Sequence, residues 1–234
     1  MQAPVRTPAS GGKGPVRKTP LGRALLTAMV VIVVAAVGIV VLVLRTDDRA
    51  ERLPAASGGV ELVRPDSHRL DDPPGATVSL VEFLDFECEG CLAAYPIVEQ
   101  LRADYGDRVE FVLRYFPLSG HFNAERAARA VEAAAQQGRL EAMYHKMYDT
   151  QPQWGERRTP ADEVFRGFAA ELGLDMARFD AAYVDPATAA RVRSDFEDGL
   201  ALGVQGTPTF FIDGEQIPVQ RPDDLRRALD AALR

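Results

Sequence analysis

The fold of this chain is decided by the stretch Thr77-Val78-Ser79-Leu80-Val81-Glu82-Phe83-Leu84-Asp85-Phe86-Glu87-Cys88-Glu89-Gly90-Cys91. Its first ten residues are rich in β-branched and aromatic side chains, which favours a strand. After this stretch the apolar residues recur every three or four positions, at Leu92, Tyr95, Val98, Leu101 and Tyr105. That spacing is typical of a helix, so the sequence predicts a strand that runs into a helix at Cys88.

Cys88 and Cys91 are the only two cysteines in the chain of 234 residues. Cys88 would lie at the helix N-terminus, where free backbone N–H groups and the positive end of the helix dipole favour a thiolate. Cys91 follows one turn later, within bonding reach of Cys88. This placement is typical of a dithiol–disulfide redox centre. A purely structural disulfide is disfavoured, because so short a ring removes little entropy from the unfolded chain.

Motifs on both sides of the cysteine pair resemble the thioredoxin superfamily, and more closely its DsbA-like branch of extracytoplasmic thiol oxidoreductases. The resemblance is carried by Val81-Glu82-Phe83 before the cysteines, by Pro96 in the next helix, by His121-x-Asn123-Ala124 at the start of an Ala-rich helix, and by Gly206-Thr207-Pro208-Thr209-Phe210-Phe211-Ile212-Asp213-Gly214. It covers about residues 58 to 234. The implied fold is an α/β thioredoxin-like domain with a helical insertion at about 123–201.

The resemblance also implies a role for each matching residue. Cys88 and Cys91 would form the redox-active disulfide that is passed to exported cysteine-containing proteins, with Cys88 as nucleophile and Cys91 as its buried partner. Glu82 would be desolvated and would carry protons to and from Cys91. Pro208 would follow a cis peptide bond beside the cysteines, and the backbone of Thr207 would pair with the substrate.

The residues around the two cysteines allow finer expectations. Glu89 and Gly90 depart from the Pro-His pair of the best-known members of this branch, and both are expected to contact the substrate. Because Glu89 places a negative charge near Cys88 and Gly90 supplies no cation, we predict a milder oxidant than the strongest members. Asp85 and Glu87 are expected to be solvated.

Two alternative functions remain open. A disulfide reductase or isomerase would run the same chemistry in reverse with the same residues. A non-catalytic accessory or metal-handling module would share only the fold, and a metal handler would place a histidine or methionine beside the cysteines, where the sequence shows none close by. His121 is a candidate for the rim of the site. No metal is predicted, since the histidines lack zinc-ligand spacing, and no flavin or haem motif calls for a cofactor.

The N-terminal part of the chain differs from the rest. Residues 1–23 are rich in proline and glycine and are predicted to be a disordered cytoplasmic tail. Residues 24–44 are 21 residues without a charge, long enough to span a bilayer, and are predicted to be a single uncleaved transmembrane helix. Residues 45–57 would form a polar linker. Val60-Glu61-Leu62-Val63 is predicted to be a short first strand, and Asp213-Gly214 is typical of a hairpin turn.

Charge and topology define the expected partners. Residues 53–234 hold 19 of the 27 basic and 31 of the 34 acidic residues, a net charge of −12, which argues against a nucleic-acid partner. Five basic residues and no acid precede the apolar segment, so we expect the N-terminus in the cytoplasm and the globular domain outside. For reoxidation, the resemblance implies a quinone-linked membrane partner.

Overall fold

The computed structural model describes residues 59–234. The predicted tail at 1–23, the predicted transmembrane helix at 24–44 and the predicted linker at 45–57 lie outside the described residues. Within residues 59–234, no helix combines the length and the apolar character that crossing a bilayer requires.

A mixed five-stranded sheet forms the centre of the described domain. Its strands are β1 (His68–Asp71), β2 (Val78–Leu84), β3 (Val109–Tyr115), β4 (Thr209–Ile212) and β5 (Glu215–Ile217). They lie in the order β1-β3-β2-β4-β5; β2 and β3 are parallel, and the other neighbours are antiparallel. The predicted strand before the cysteines is therefore the central one, and its apolar sequence suits a strand that is covered on both faces.

Seven helices of the described domain pack around this sheet. They are α1 (Glu89–Tyr105), α2 (Ala124–Ala135), α3 (Leu140–Trp154), α4 (Asp162–Glu171), α5 (Met176–Val184), α6 (Pro186–Ala201) and α7 (Asp224–Ala232). Helices α2 to α6 lie between β3 and β4, which confirms the helical insertion predicted at about 123–201. The predicted hairpin is also confirmed: Asp213 and Gly214 have positive φ values of 48° and 85° in the turn between β4 and β5.

The prediction of a first strand at residues 60–63 is wrong, since the first strand of the described part is β1. The backbone near Leu62 instead contacts the fully buried Arg114 of β3, whose Nη1 donates to the Leu62 carbonyl at 2.6 Å. Arg114 also forms an ion pair with Asp195 of α6, which is itself fully buried. The carbonyl is thus paired by a side chain rather than by a neighbouring strand.

The core includes the start of α1. One large cluster of buried side chains joins both cysteines, Leu84 at the end of the central strand and Phe86 just after it to apolar residues of the helical insertion. A second cluster lies between the sheet and the helices α1 and α7. Because the first turn of α1 packs into the core, the positions of the two cysteines are fixed by the fold rather than by a mobile loop.

Candidate redox site

Cys88 and Cys91 lie at the N-terminus of α1, where the central strand delivers them. Cys88 is the N-cap residue, with extended backbone angles, and its carbonyl accepts from Leu92 N at 3.0 Å. Both cysteines are free thiols. Cys88 keeps 8 % of its surface exposed and Cys91 none. Cys88 is therefore the sulfur that an incoming molecule can reach.

The loop before β4 completes the site from 119 residues away in sequence. The Thr207–Pro208 peptide bond is cis, as the resemblance implied. The Cys88 thiol donates to the Thr207 carbonyl oxygen at 3.3 Å. A Cβ atom on Gly90 would lie 3.2 Å from Pro208 Cδ and 3.4 Å from Cys88 Sγ. Gly90 thus allows the close approach of the two segments.

The surroundings of Cys88 favour its thiolate. A hydrogen bond with the Cys91 side chain is the largest influence that lowers the pKa of Cys88, to about 5, although burial opposes it. Hydrogen bonds from the Thr207 side chain and from the backbone N–H groups of Cys91 and Gly90 lower this pKa further. The Thr207 hydroxyl is buried and has no hydrogen-bond partner among the described residues, so it is available to donate to a thiolate at Cys88.

The surroundings of Cys91 disfavour its thiolate. Burial raises the pKa of Cys91 well above its ordinary value, and the hydrogen bond with Cys88 and the negative charge of Glu82 raise it further. Only the backbone N–H of Asp85, 3.5 Å from the sulfur, acts in the other direction. One turn of helix therefore separates a thiol that ionises readily from one that keeps its proton.

Glu82 lies on β2 between Leu113 of β3 and Phe210 of β4, in the centre of the sheet. It is 4 % exposed. Burial raises the pKa of Glu82 to about 8, with smaller contributions from the charges of Glu99 and Cys88. The carboxyl group is therefore protonated over most of the neutral range, and its charge is coupled to the titration of Cys91.

The expectation that Asp85 and Glu87 are solvated is wrong, because both residues are buried. The Asp85 carboxylate accepts from the backbone N–H groups of Glu87 at 2.8 Å and of Leu118 at 3.0 Å. The Glu87 carboxylate accepts from the backbone N–H of Asn123 at 2.5 Å. These bonds attach the segment before the cysteines to the segment before α2, and they satisfy the carboxylates in place of water.

A histidine also lies at this site, although none was evident close to the cysteines in the sequence. His121 Nδ1 is 2.6 Å from Asp85 Oδ2. The His121 ring and the carboxylates of Glu89 and Glu156 offer atoms that all lie within 4.8 Å of one another. His121 is thus on the rim beside the motif. This is the place for which the sequence named it as a candidate.

An apolar groove runs from the cysteine motif along the other side of the Thr207–Pro208 loop. Its volume is about 420 Å³. It begins at Gly90 and Pro208 and is continued by side chains from α1, the β4–β5 hairpin and α7, among them Ala94, Ile97, Phe210, Ile217, Val219 and Leu225. The groove therefore offers a mainly apolar surface beside Gly90 of the motif, with Arg221 as the charged residue in its lining.

Comparison with known proteins agrees with this geometry. The profile of a protein family described as thioredoxin matches residues 73–231. The chain belongs to the thioredoxin family. A thioredoxin-like oxidoreductase from Silicibacter pomeroyi DSS-3 has a similar structure, with a TM-score of 0.61, 29 % identity, and coverage of 74 % of this chain and 95 % of that one. Oxidised BdbD from Bacillus subtilis has a TM-score of 0.62 at 19 % identity, with coverage of 71 % and 92 %, and shares the fold.

The curated relatives of this thioredoxin-family chain are named as Na(+)/H(+) antiporters. A Na(+)/H(+) antiporter NhaA of Herminiimonas arsenicoxydans is 37 % identical over 155 residues, which are 66 % of this chain and 24 % of the relative. NhaA 3 of Salinispora tropica is 38 % identical over 173 residues, which are 72 % of this chain and 26 % of the relative. The chain spans about a quarter of the length of these relatives. The match therefore concerns one part of a longer protein.

Proposed function

We propose that this protein is a thiol:disulfide oxidoreductase that introduces disulfides into exported proteins through Cys88 and Cys91. The observation that carries the proposal is the placement of Cys88, which keeps 8 % of its surface exposed, at the N-terminus of α1, one helical turn before a fully buried Cys91. This placement lowers the pKa of Cys88 to about 5 and raises that of Cys91 well above its ordinary value. A stabilised Cys88 thiolate favours the reduced form of the pair, and a pair that is stable when reduced is an oxidant of other thiols.

The reaction begins with the Cys88–Cys91 disulfide. A substrate thiolate attacks Cys88 Sγ; a mixed disulfide forms, and the bond to Cys91 breaks. Cys91 leaves as a thiolate and takes up a proton, for which the neutral carboxyl of Glu82 is the nearby source. A second substrate thiolate then attacks the substrate sulfur of the mixed disulfide. Cys88 is released as a thiolate, and the two electrons of the substrate thiols now reside on the pair.

Substrate would bind across the exposed side of Cys88. The backbone of Thr207 would pair with an extended substrate segment, and Glu89 and Gly90, both exposed, would contact it. The apolar groove beside Gly90 and Pro208 would hold apolar side chains near the substrate cysteine. Such a surface suits unfolded chains, because it takes apolar segments without demanding a particular polar pattern.

We place the domain outside the cytoplasm, on a membrane that the chain would reach through residues 24–44. The predicted span and the basic residues before it support this placement. A further support is that the relatives are named as ion antiporters, whose activity requires a membrane. After each turnover the reduced pair would pass its electrons to a quinone-linked membrane partner.

A reductase or isomerase would use the same residues in the reverse direction. The low pKa of Cys88 favours the oxidase, because a reductase gains from a less stabilised thiolate. The reduction potential separates the two. We expect a value above that of thioredoxin, about −270 mV, and below that of the strongest oxidant of the fold, about −120 mV.

The test uses the full chain and its single-cysteine variants. The oxidised wild-type protein should oxidise a reduced test protein stoichiometrically, and Cys88→Ser should not. Cys91→Ser should accumulate mixed disulfides with exported proteins in cells, identifiable by mass spectrometry. A wild-type protein that does not exchange with glutathione, or a Cys91→Ser variant that traps no partner, would refute the proposal.

A further inference from the structure

The rim of the site contains a carboxylate–imidazole pair that the reaction above does not use. Asp85 Oδ2 lies 2.6 Å from His121 Nδ1. The Asp85 side chain is fully buried, and that of His121 is 19 % exposed. Because Nδ1 faces the carboxylate, the other ring nitrogen, Nε2, is the one directed to the rim.

Asp85 is held rigidly in this pair. Its carboxylate accepts from two backbone N–H groups, those of Glu87 and Leu118, in addition to the His121 ring. Its own backbone carbonyl accepts from Cys88 N at 3.2 Å. The residue that orients the imidazole is therefore hydrogen-bonded to the same segment that positions the nucleophile.

The groups that face His121 are mainly negative. They are the Asp85 carboxylate behind the ring, the Glu89 and Glu156 carboxylates at the rim, and the Cys88 thiolate. Burial alone would lower the pKa of His121, but its hydrogen bond with Asp85 and the charges of Asp85, Cys88 and Glu156 raise it. These contacts favour the cationic form of the imidazole, which shares the rim with Glu89, the residue that follows Cys88.

We propose that His121 is the cation that stabilises the Cys88 thiolate in the reduced protein, and that Asp85 is the positioning residue that holds the imidazole at the rim. This inference rests on the proposed function. The two residues between the cysteines supply no positive charge. A residue that lies 33 positions after Cys88 in sequence then supplies it, from the segment that precedes α2.

The Asp85–His121 pair would shift the equilibrium between the Cys88–Cys91 disulfide and the reduced dithiol. Reduction of the disulfide by two substrate thiols delivers two electrons, places one proton on Cys91 and releases the other, so that Cys88 remains as a thiolate. The Cys88 thiolate is an additional negative neighbour of His121 that exists only in the reduced state. It therefore stabilises that state and makes the disulfide more oxidising. By reciprocity, the pKa of His121 must be higher in the reduced than in the oxidised protein.

The test measures the Cys88 pKa from thiolate absorbance and the equilibrium constant with glutathione, in the full-length wild type, His121→Gln and Asp85→Asn. We expect His121→Gln to raise the Cys88 pKa by about 0.5–1 unit and to shift the glutathione equilibrium about threefold to tenfold toward the disulfide. Asp85→Asn should also raise the Cys88 pKa and shift the glutathione equilibrium toward the disulfide. An NMR titration should find a higher His121 pKa in the reduced wild type.

His145→Gln is the matched control. That imidazole contacts Tyr95, at 2.8 Å, and the carboxylates of Glu99 and Glu141. Its removal should leave the Cys88 pKa unchanged. A Cys88 pKa in His121→Gln equal to the wild-type value, or an oxidation-independent His121 pKa, would overturn the inference, even if Asp85→Asn proves too unstable to measure. A wild-type protein inert toward glutathione would instead refute the proposed function itself.

Discussion

The two sulfurs of the site show how much one helical turn can change the chemistry of a thiol. Both belong to the same buried cluster, and their exposed fractions differ only between 8 % and 0 %. The pKa of Cys88 nevertheless lies at about 5, whereas that of Cys91 is raised well above its ordinary value. Burial opposes the charged form of both thiols; it is the largest influence on the pKa of Cys91, whereas hydrogen bonds outweigh it at Cys88.

Hydrogen-bond donors explain the low pKa of Cys88. We call the surroundings of Cys88 the outer region. The charged form of the sulfur is favoured there by the Cys91 thiol, the Thr207 side chain and two backbone N–H groups. Around Cys91, in the inner region, the neighbouring charge is that of Glu82, and it disfavours a second negative group. A redox pair of unequal thiols thus arises where a dry interior meets a helix N-terminus. The following predictions test each side of this contrast.

The largest effect is expected in the inner region, at Glu82. Its pKa of about 8 means that the folded protein retains a proton between about pH 5 and 8 that the unfolded chain has released. The free energy of unfolding must therefore fall as the pH rises through this window. In oxidised protein, where Cys88 does not titrate, we expect the wild type to lose on the order of 3 kcal/mol between pH 5 and 8. Glu82→Gln should lose much less.

Urea unfolding of the oxidised wild type and of Glu82→Gln at a series of pH values measures how the free energy of unfolding depends on pH. Glu110→Gln on the neighbouring strand is the control, since that carboxylate is partly exposed and contacts Arg69. It should keep the wild-type pH dependence. Equal slopes for the wild type and Glu82→Gln would show that the carboxyl is not held neutral in the sheet.

The second effect compares the two regions directly. In reduced wild-type protein at pH 6.5, Cys88 should be almost fully ionised and Cys91 almost fully protonated. Because the thiolate is the nucleophile, we expect iodoacetamide to alkylate Cys88 about 10- to 100-fold faster than Cys91. Quenching at timed intervals and mapping the alkylated peptides gives both rates. Comparable rates, or a faster Cys91, would contradict the proposed order of the two sulfurs.

The sequence predicts the strands and helices that carry the site better than it predicts the side-chain contacts around the two cysteines. The strand before Cys88, the helix after it and the hairpin at Asp213 follow from local side-chain patterns, and the structure confirms them. The cis bond before Pro208 came from the family resemblance and is present. The roles of these residues in catalysis are still predictions, for which the variants above provide the measurements.

The burial of Asp85 and Glu87 is not predictable from their own neighbourhoods in the sequence. An acidic residue in a sequence is usually solvated. Here three of the four backbone N–H groups that donate to the buried Asp85 and Glu87 carboxylates, those of Leu118, Asn123 and Glu156, lie more than 30 positions away. Likewise, the first strand was placed too early, because His68–Asp71 is a polar edge strand without an apolar pattern. Contacts of long sequence separation leave no local periodicity to read.

The smallest effect isolates one donor of the outer region. The Thr207 hydroxyl has no hydrogen-bond partner among the described residues, and its side chain is one of the groups that lower the pKa of Cys88, so we expect it to donate to the Cys88 thiolate. Thr207→Val removes the hydroxyl at nearly constant shape, and we expect the Cys88 pKa to rise by about one unit, which is the usual strength of a hydrogen bond to a charged group. Thr207→Ser keeps the hydroxyl and should stay close to the wild type. Thiolate absorbance against pH measures all three proteins; a Thr207→Val pKa equal to that of Thr207→Ser would assign the stabilisation to the helix N–H groups and Cys91 instead.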